Sequence, residues 1–217
     1  TQYAVLGLHS ASLCDAKVPR HVWFKVLGHF LRHQRFDGPP RPDLELRGAD
    51  DGDARFETSR RYRTSTRSRG WGYSHMDGDE SREHTSAYGS MTCAGISSLA
   101  IADGALVRLG VKRYGKAERR RVHEGIRDGF AFLDEHWAAW CNPAQGGYYY
   151  FYFLYGLERA AMLTGVKWIG AHDWYWEGAI QLILCQDKRG LWRRDLIDTA
   201  FAVLFLKRGT KAVITPR

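Results

Sequence analysis

The chain has 217 residues, 44% hydrophobic and 26% charged, with a formal charge of +8. That balance is ordinary for a globular protein, and the length allows one large domain or two small ones. No apolar run approaches the roughly 18 to 20 residues of a membrane span, so no transmembrane segment is expected.

In chain order, the opening phrase Thr1-Gln2-Tyr3-Ala4-Val5-Leu6-Gly7-Leu8 reads as an apolar helix running to about Ala11. It starts without Met, cap or leader-like segment, which reads as a piece of a longer polypeptide. Pro19 suits the first turn of a second helix reaching Gln34, with Val22, Val26 and Phe30 beside Trp23 and Leu27 on its apolar face. Periodicity then vanishes over 35–88. Pro39, Pro40 and Pro42 give way to Asp50, Asp51 and Asp53, then to Arg60, Arg61, Arg63, Arg67 and Arg69. So long an irregular insertion implies function, disorder or a small β excursion.

Helical spacing resumes over Ser90–Leu109, with Gly110 placed to end the helix, and again over Lys116–Trp137. Asn142-Pro143 and Gly146-Gly147 mark a turn. Tyr148–Leu163 is apolar almost all round, as a helix buried on most sides would be. A further helix is expected over His172–Gln186, with Asp173 as its cap, and a last one over Asp198–Lys207, with Asp198 as its cap. The expectation is an all-α chain of about seven helices, alternating between half-wet and nearly all-apolar.

The opening phrase returns near the end as Thr199-Ala200-Phe201-Ala202-Val203-Leu204-Phe205-Leu206, with a looser copy over Gly89–Leu99. One such unit cannot bury its own apolar face, so repetition predicts a stacked array of helical hairpins.

The stretch Gly178-Ala179-Ile180-Gln181-Leu182-Ile183-Leu184-Cys185-Gln186-Asp187-Lys188-Arg189-Gly190-Leu191-Trp192 ends one hairpin helix. Phe30 and Gln34, followed after the insertion by Gly70-Trp71-Gly72-Tyr73, repeat its Gln, Gly and Trp. Phe130–Trp137 is a degenerate third copy without the Gln. This pattern resembles the QW repeat of the squalene and oxidosqualene cyclases, which share an α/α-toroid fold with the protein prenyltransferase β subunits. The resemblance implies an α/α-toroid-type array of hairpins forming an incomplete ring, completed by a second copy or by more of the parent chain. It also implies an isoprenoid or lipid ligand held where the inner helices begin.

The cyclases protonate an alkene with the middle acid of Asp-x-Asp-Asp-Thr-Ala. Here Asp195-Leu196-Ile197-Asp198-Thr199-Ala200 occupies that place, with Ile197 where the acid belongs. Asp195 and Asp198 are thus the candidate catalytic residues of a motif that is not intact. The candidate ligand-binding residues are Gln2, Thr92, Tyr152, Tyr155, Glu158 and Arg159. Glu158 and Arg159 also read as a pair inside the array. In the prenyltransferases an Asp-x-Cys pair and a distant His bind zinc. Cys185-Gln186-Asp187 reverses that order, so no metal or other cofactor is predicted. Cys14, Cys93, Cys141 and Cys185 lie far apart and read as buried thiols in helices.

Arg119, Arg120 and Arg121 read as a solvated helix face, and the loop arginines either as the same or as a site for a polyanion. No motif points to a specific nucleic acid. The alternatives to an apolar-ligand domain are a helical-repeat module for protein interaction and an α/α-toroid polysaccharide lyase.

Overall fold

The computed structural model describes residues 1–48, 65–73, 86–193 and 195–210. Arg60, Arg61, Arg63, the acidic run at Asp50–Asp53 and the tail beyond Thr210 lie outside the described residues. The fold is all-α. Seven helices run among the described residues: α1 (Gln2–Leu13), α2 (Arg20–His33), α3 (Gly89–Arg108), α4 (Lys116–Glu135), α5 (Tyr150–Thr164), α6 (Trp174–Cys185) and α7 (Leu196–Lys207).

The odd-numbered helices pack against one another in chain order, α1 on α3, α3 on α5 and α5 on α7, while α2 and α4 pack on α3 and α6 on α5. Every residue of α3 from Thr92 to Leu106 is buried. Small residues make this possible: a Cβ on Gly95 would stand 2.3 Å from the Trp71 ring. By length and composition α3 could cross a membrane, contrary to the sequence expectation. It is mostly buried by its neighbours, as the core helix of an array must be. α4 divides in two: its first turns are polar and mostly exposed, and Gly125–Leu133 is wholly buried.

The two hairpins with the repeated Gln and Trp are locked by the same three hydrogen bonds. Trp192 donates its indole N–H to the Leu182 carbonyl at 2.8 Å, Gln186 donates its amide to the Gly190 carbonyl at 3.0 Å, and the Trp192 backbone N–H reaches the Thr199 hydroxyl at 3.1 Å. In the other copy the Trp71 indole donates to Phe30 at 2.7 Å, Gln34 to Arg69 at 2.9 Å, and the Trp71 backbone to Thr92 at 3.1 Å. The insertion between Gln34 and Trp71 leaves the lock unchanged, because both ends of it return to the same helix end. The degenerate copy has no such lock: the Trp137 indole donates to the Glu177 carboxylate at 2.7 Å.

The described parts of the insertion are mostly without regular secondary structure, and they pack against α4. Leu46–Arg47 forms β1, antiparallel to β2 (Trp168–Ile169), which pairs with β3 (His172–Asp173). The buried Arg127 donates to the Leu44 carbonyl at 2.6 Å. Asp128 accepts from the Arg67 backbone at 2.8 Å and from Arg69 Nε at 2.8 Å, and Arg41 pairs with Asp134. β3 takes the two residues expected to open α6. Asp173 still caps that helix, accepting from Trp176 N at 3.0 Å. α5 likewise starts two residues late, since Tyr149 adopts φ 56°, a left-handed conformation that a helix start cannot extend through.

Candidate functional site

Tyr152, Tyr155, Arg159 and Met162 follow one another at helical three- and four-residue spacing and so share one face of α5. The start of α1 and the middle of α7 meet them there. The Tyr152 hydroxyl donates to Gln2 Oε1 at 2.6 Å, and its ring lies 6.3 Å from Tyr3 and 5.6 Å from Phe201, centroid to centroid. Tyr155 stacks on Phe201 at 5.5 Å, and the Arg159 guanidinium carbon sits 4.0 Å from the Tyr155 ring centre. Helices α1, α5 and α7 thus build one aromatic patch around one cation. Burial pushes the Tyr152 phenol up to about 12, with Tyr3 adding to the shift and Arg159 opposing it.

Arg159 is only 3% exposed, and none of its three guanidinium nitrogens has a hydrogen-bond partner among the described residues. Gln2 is 7% exposed, and its Nε2 is also unpartnered among the described residues. The expected Glu158–Arg159 pair does not form, because consecutive helical residues point about 100° apart. Glu158 instead accepts from the Thr210 backbone at 3.1 Å and from its hydroxyl at 2.7 Å, with burial holding its carboxyl above the usual range.

Of the expected ligand residues, Gln2, Tyr152, Tyr155 and Arg159 come together; Thr92 and Glu158 do not. Thr92 is fully buried and spent on the Trp71 backbone. The acid motif is also rearranged. Asp195, not Asp198, caps α7, accepting from Ile197 N at 2.7 Å and Asp198 N at 2.9 Å. Asp198 lies inside the first turn, where burial and the neighbouring Asp195 raise its carboxyl. Ile197 is 65% exposed, so the position of the missing acid faces outward.

Of the four cysteines only Cys93 is buried, which drives its thiol up; Cys14 and Cys185 are exposed at helix ends. No group of three metal-ligating side chains occurs among the described residues. Arg119 also departs from expectation. It is not solvated but donates to the buried Asp103 at 3.1 Å, which accepts from the Tyr114 hydroxyl at 2.7 Å as well.

Sequence reasoning passed over the histidines of α2. A cavity of about 520 Å³ opens between α1, α2 and α3, lined by Gln2, His29, Arg32, His33 and Tyr73 among others. The signal was there in the four-residue spacing of His29 and His33, whose rings lie 4.3 Å apart. A second cavity of about 770 Å³ is walled by Arg20, His21, Lys112 and Arg113 together with Val18 and Phe24. His172 is held by Glu177 at 3.0 Å and stacked on Trp137 at 4.5 Å, away from any open role.

No protein-family model matches the chain, and no curated protein or solved structure matches it either.

Proposed function

We propose that this chain is a prenyltransferase/squalene-cyclase-like repeat domain, a partial α/α toroid whose inner helices hold an isoprenoid or other apolar ligand. The observation that carries the reading is the patch itself: Tyr3, Tyr152, Tyr155 and Phe201 from three inner helices converge at one place. Aromatic faces bury large apolar areas at low conformational cost, and the half-buried Tyr152 and Tyr155 leave ring surface accessible. The repeated Gln–Trp lock supports the same family of repeats. Ile197 at the acid position counts against an active cyclase, and so does Arg159, since a fixed cation repels the carbocation that a cyclase must stabilise. The domain therefore binds its ligand without protonating it.

Native mass spectrometry of the purified chain at low activation energy tests this. The expected result is an apolar adduct that is lost on Tyr155→Ala. A ligand-free species after incubation with polyprenols and fatty acids overturns it. The basic cavity at Arg20, His21, Lys112 and Arg113 supports a second reading, an interaction module for an acidic polymer. Salt-sensitive binding of such a polymer, weakened by Lys112→Glu, is its signature.

A further inference from the structure

Arg159 poses a question that an apolar site does not answer. It is among the most buried of the described charged residues, yet among the described residues it has no ion pair and none of its hydrogen-bond donors is partnered. Guanidinium groups keep their proton in proteins, so the charge cannot be relieved by titration. The neighbouring carboxylate, Glu158, is turned to Thr210. The face of Tyr155 offers the cation partial compensation, but it accepts none of the N–H groups in their plane. A buried cation left this way is costly in the empty protein and becomes favourable when an anion meets it.

We propose that Arg159 receives the anionic head group, a carboxylate or a phosphate, of an otherwise apolar ligand whose chain lies along Tyr155, Tyr152 and Phe201. This inference rests on the apolar-site reading above and narrows it to acidic lipids. The planar fork of the guanidinium suits both head groups, because two parallel N–H donors match two oxygens of either. Tyr152 stands two helical turns from Arg159, about 10 Å along α5, so an extended chain leaving the head passes both tyrosine rings. At the far end the unpartnered Gln2 amide is a second donor, free for a hydroxyl or carbonyl on the tail.

Decanoate, decyl phosphate and decanol share one tail and differ in head, and their affinities for the full chain can be measured by titration calorimetry below their aggregation concentrations. The expected result is binding of one or both anions about tenfold or more tighter than decanol. Preference for decanoate assigns a carboxylate head, and preference for decyl phosphate a phosphate. Arg159→Met should abolish the preference for an anionic head over decanol. If that variant does not fold, Arg159→Lys keeps the charge without the fork and should lower anion affinity alone, several-fold. Undiminished anion preference in these variants overturns the assignment. Wild-type protein that binds decanol as tightly as the anions overturns it too, and leaves the apolar site standing. Binding of none of the three removes both readings.

Discussion

Trp192 and Leu182 are joined by an indole-to-carbonyl hydrogen bond of 2.8 Å that closes the last hairpin, and Trp71 and Phe30 are joined in the same way. The Gln of each lock carries a different load. Gln34 is buried and also reaches the Gly125 carbonyl at 2.9 Å, whereas Gln186 is exposed. Gln34→Leu should therefore cost about 1 to 3 kcal/mol by leaving buried carbonyls unpaired. Gln186→Leu should stay within about 0.5 kcal/mol, as exposed substitutions do. Urea unfolding of the two variants measures both, and equal losses would contradict this account of the lock.

Close packing at Gly95 makes a sharper case. An added methyl meets the Trp71 ring at 2.3 Å, so Gly95→Ala should destabilise by about 1 to 3 kcal/mol despite its better helix propensity. Gly7, also helical, has nothing within 4 Å. Gly7→Ala should stabilise by about 0.5 to 1 kcal/mol. Opposite shifts in Tm are the expected outcome.

Asp103 sets the acid limit of stability. Burial raises its carboxyl, but His123, Tyr114 and Arg119 together outweigh burial and hold it below the usual carboxylate range. A depressed folded value means that the stabilisation is present above about pH 4 and is lost as pH falls through the folded pKa. Asp103→Asn should cost about 3 kcal/mol at neutral pH. It should also flatten the fall of Tm below pH 4, and an unchanged acid limb would refute the assignment.

The two aspartates of the degraded acid motif separate cleanly. Asp195 accepts two backbone N–H groups, so Asp195→Ala should cost about 1 kcal/mol. Asp198 has no hydrogen bond from its carboxylate among the described residues and sits beside a like charge, so Asp198→Asn should be neutral or slightly stabilising. Thermal melts of both decide it, and neither change should alter ligand binding.

Ile183 and Leu184 on α6 and Val203 and Leu204 on α7 are exposed. Exposed apolar side chains in this number favour association. Sedimentation velocity should show concentration-dependent self-association, reduced by Leu184→Lys with little change in Tm. A chain that stays monomeric at high concentration would count against a sticky face.

The sequence alone determined the helical elements, because 3.6-residue periodicity, capping and the Thr-x-aromatic-Ala-Val-Leu phrase are local properties of the chain. It placed α2, α3, α4 and α7 to within a turn at each end, named the Asp173 cap, and paired Gln with Trp in two hairpins. The sequence reading gave the last cap to Asp198, but the cap is Asp195: both precede apolar residues, and only backbone geometry separates them. Local chemistry could not show that 35–48 and 65–73 strap α4, because Leu44 with Arg127 and Arg69 with Asp128 are contacts between distant segments. The site divides in the same way. Tyr152, Tyr155 and Arg159 were legible as neighbours on one helix. Gln2 was grouped with them from the sequence as well, and its contact with Tyr152 agrees. That Phe201 joins them, that Glu158 turns to Thr210, and that Arg159 has no partner among the described residues were decided by packing of α1, α5 and α7. Burial and pairing belong to the assembled array, and no single segment of sequence encodes them.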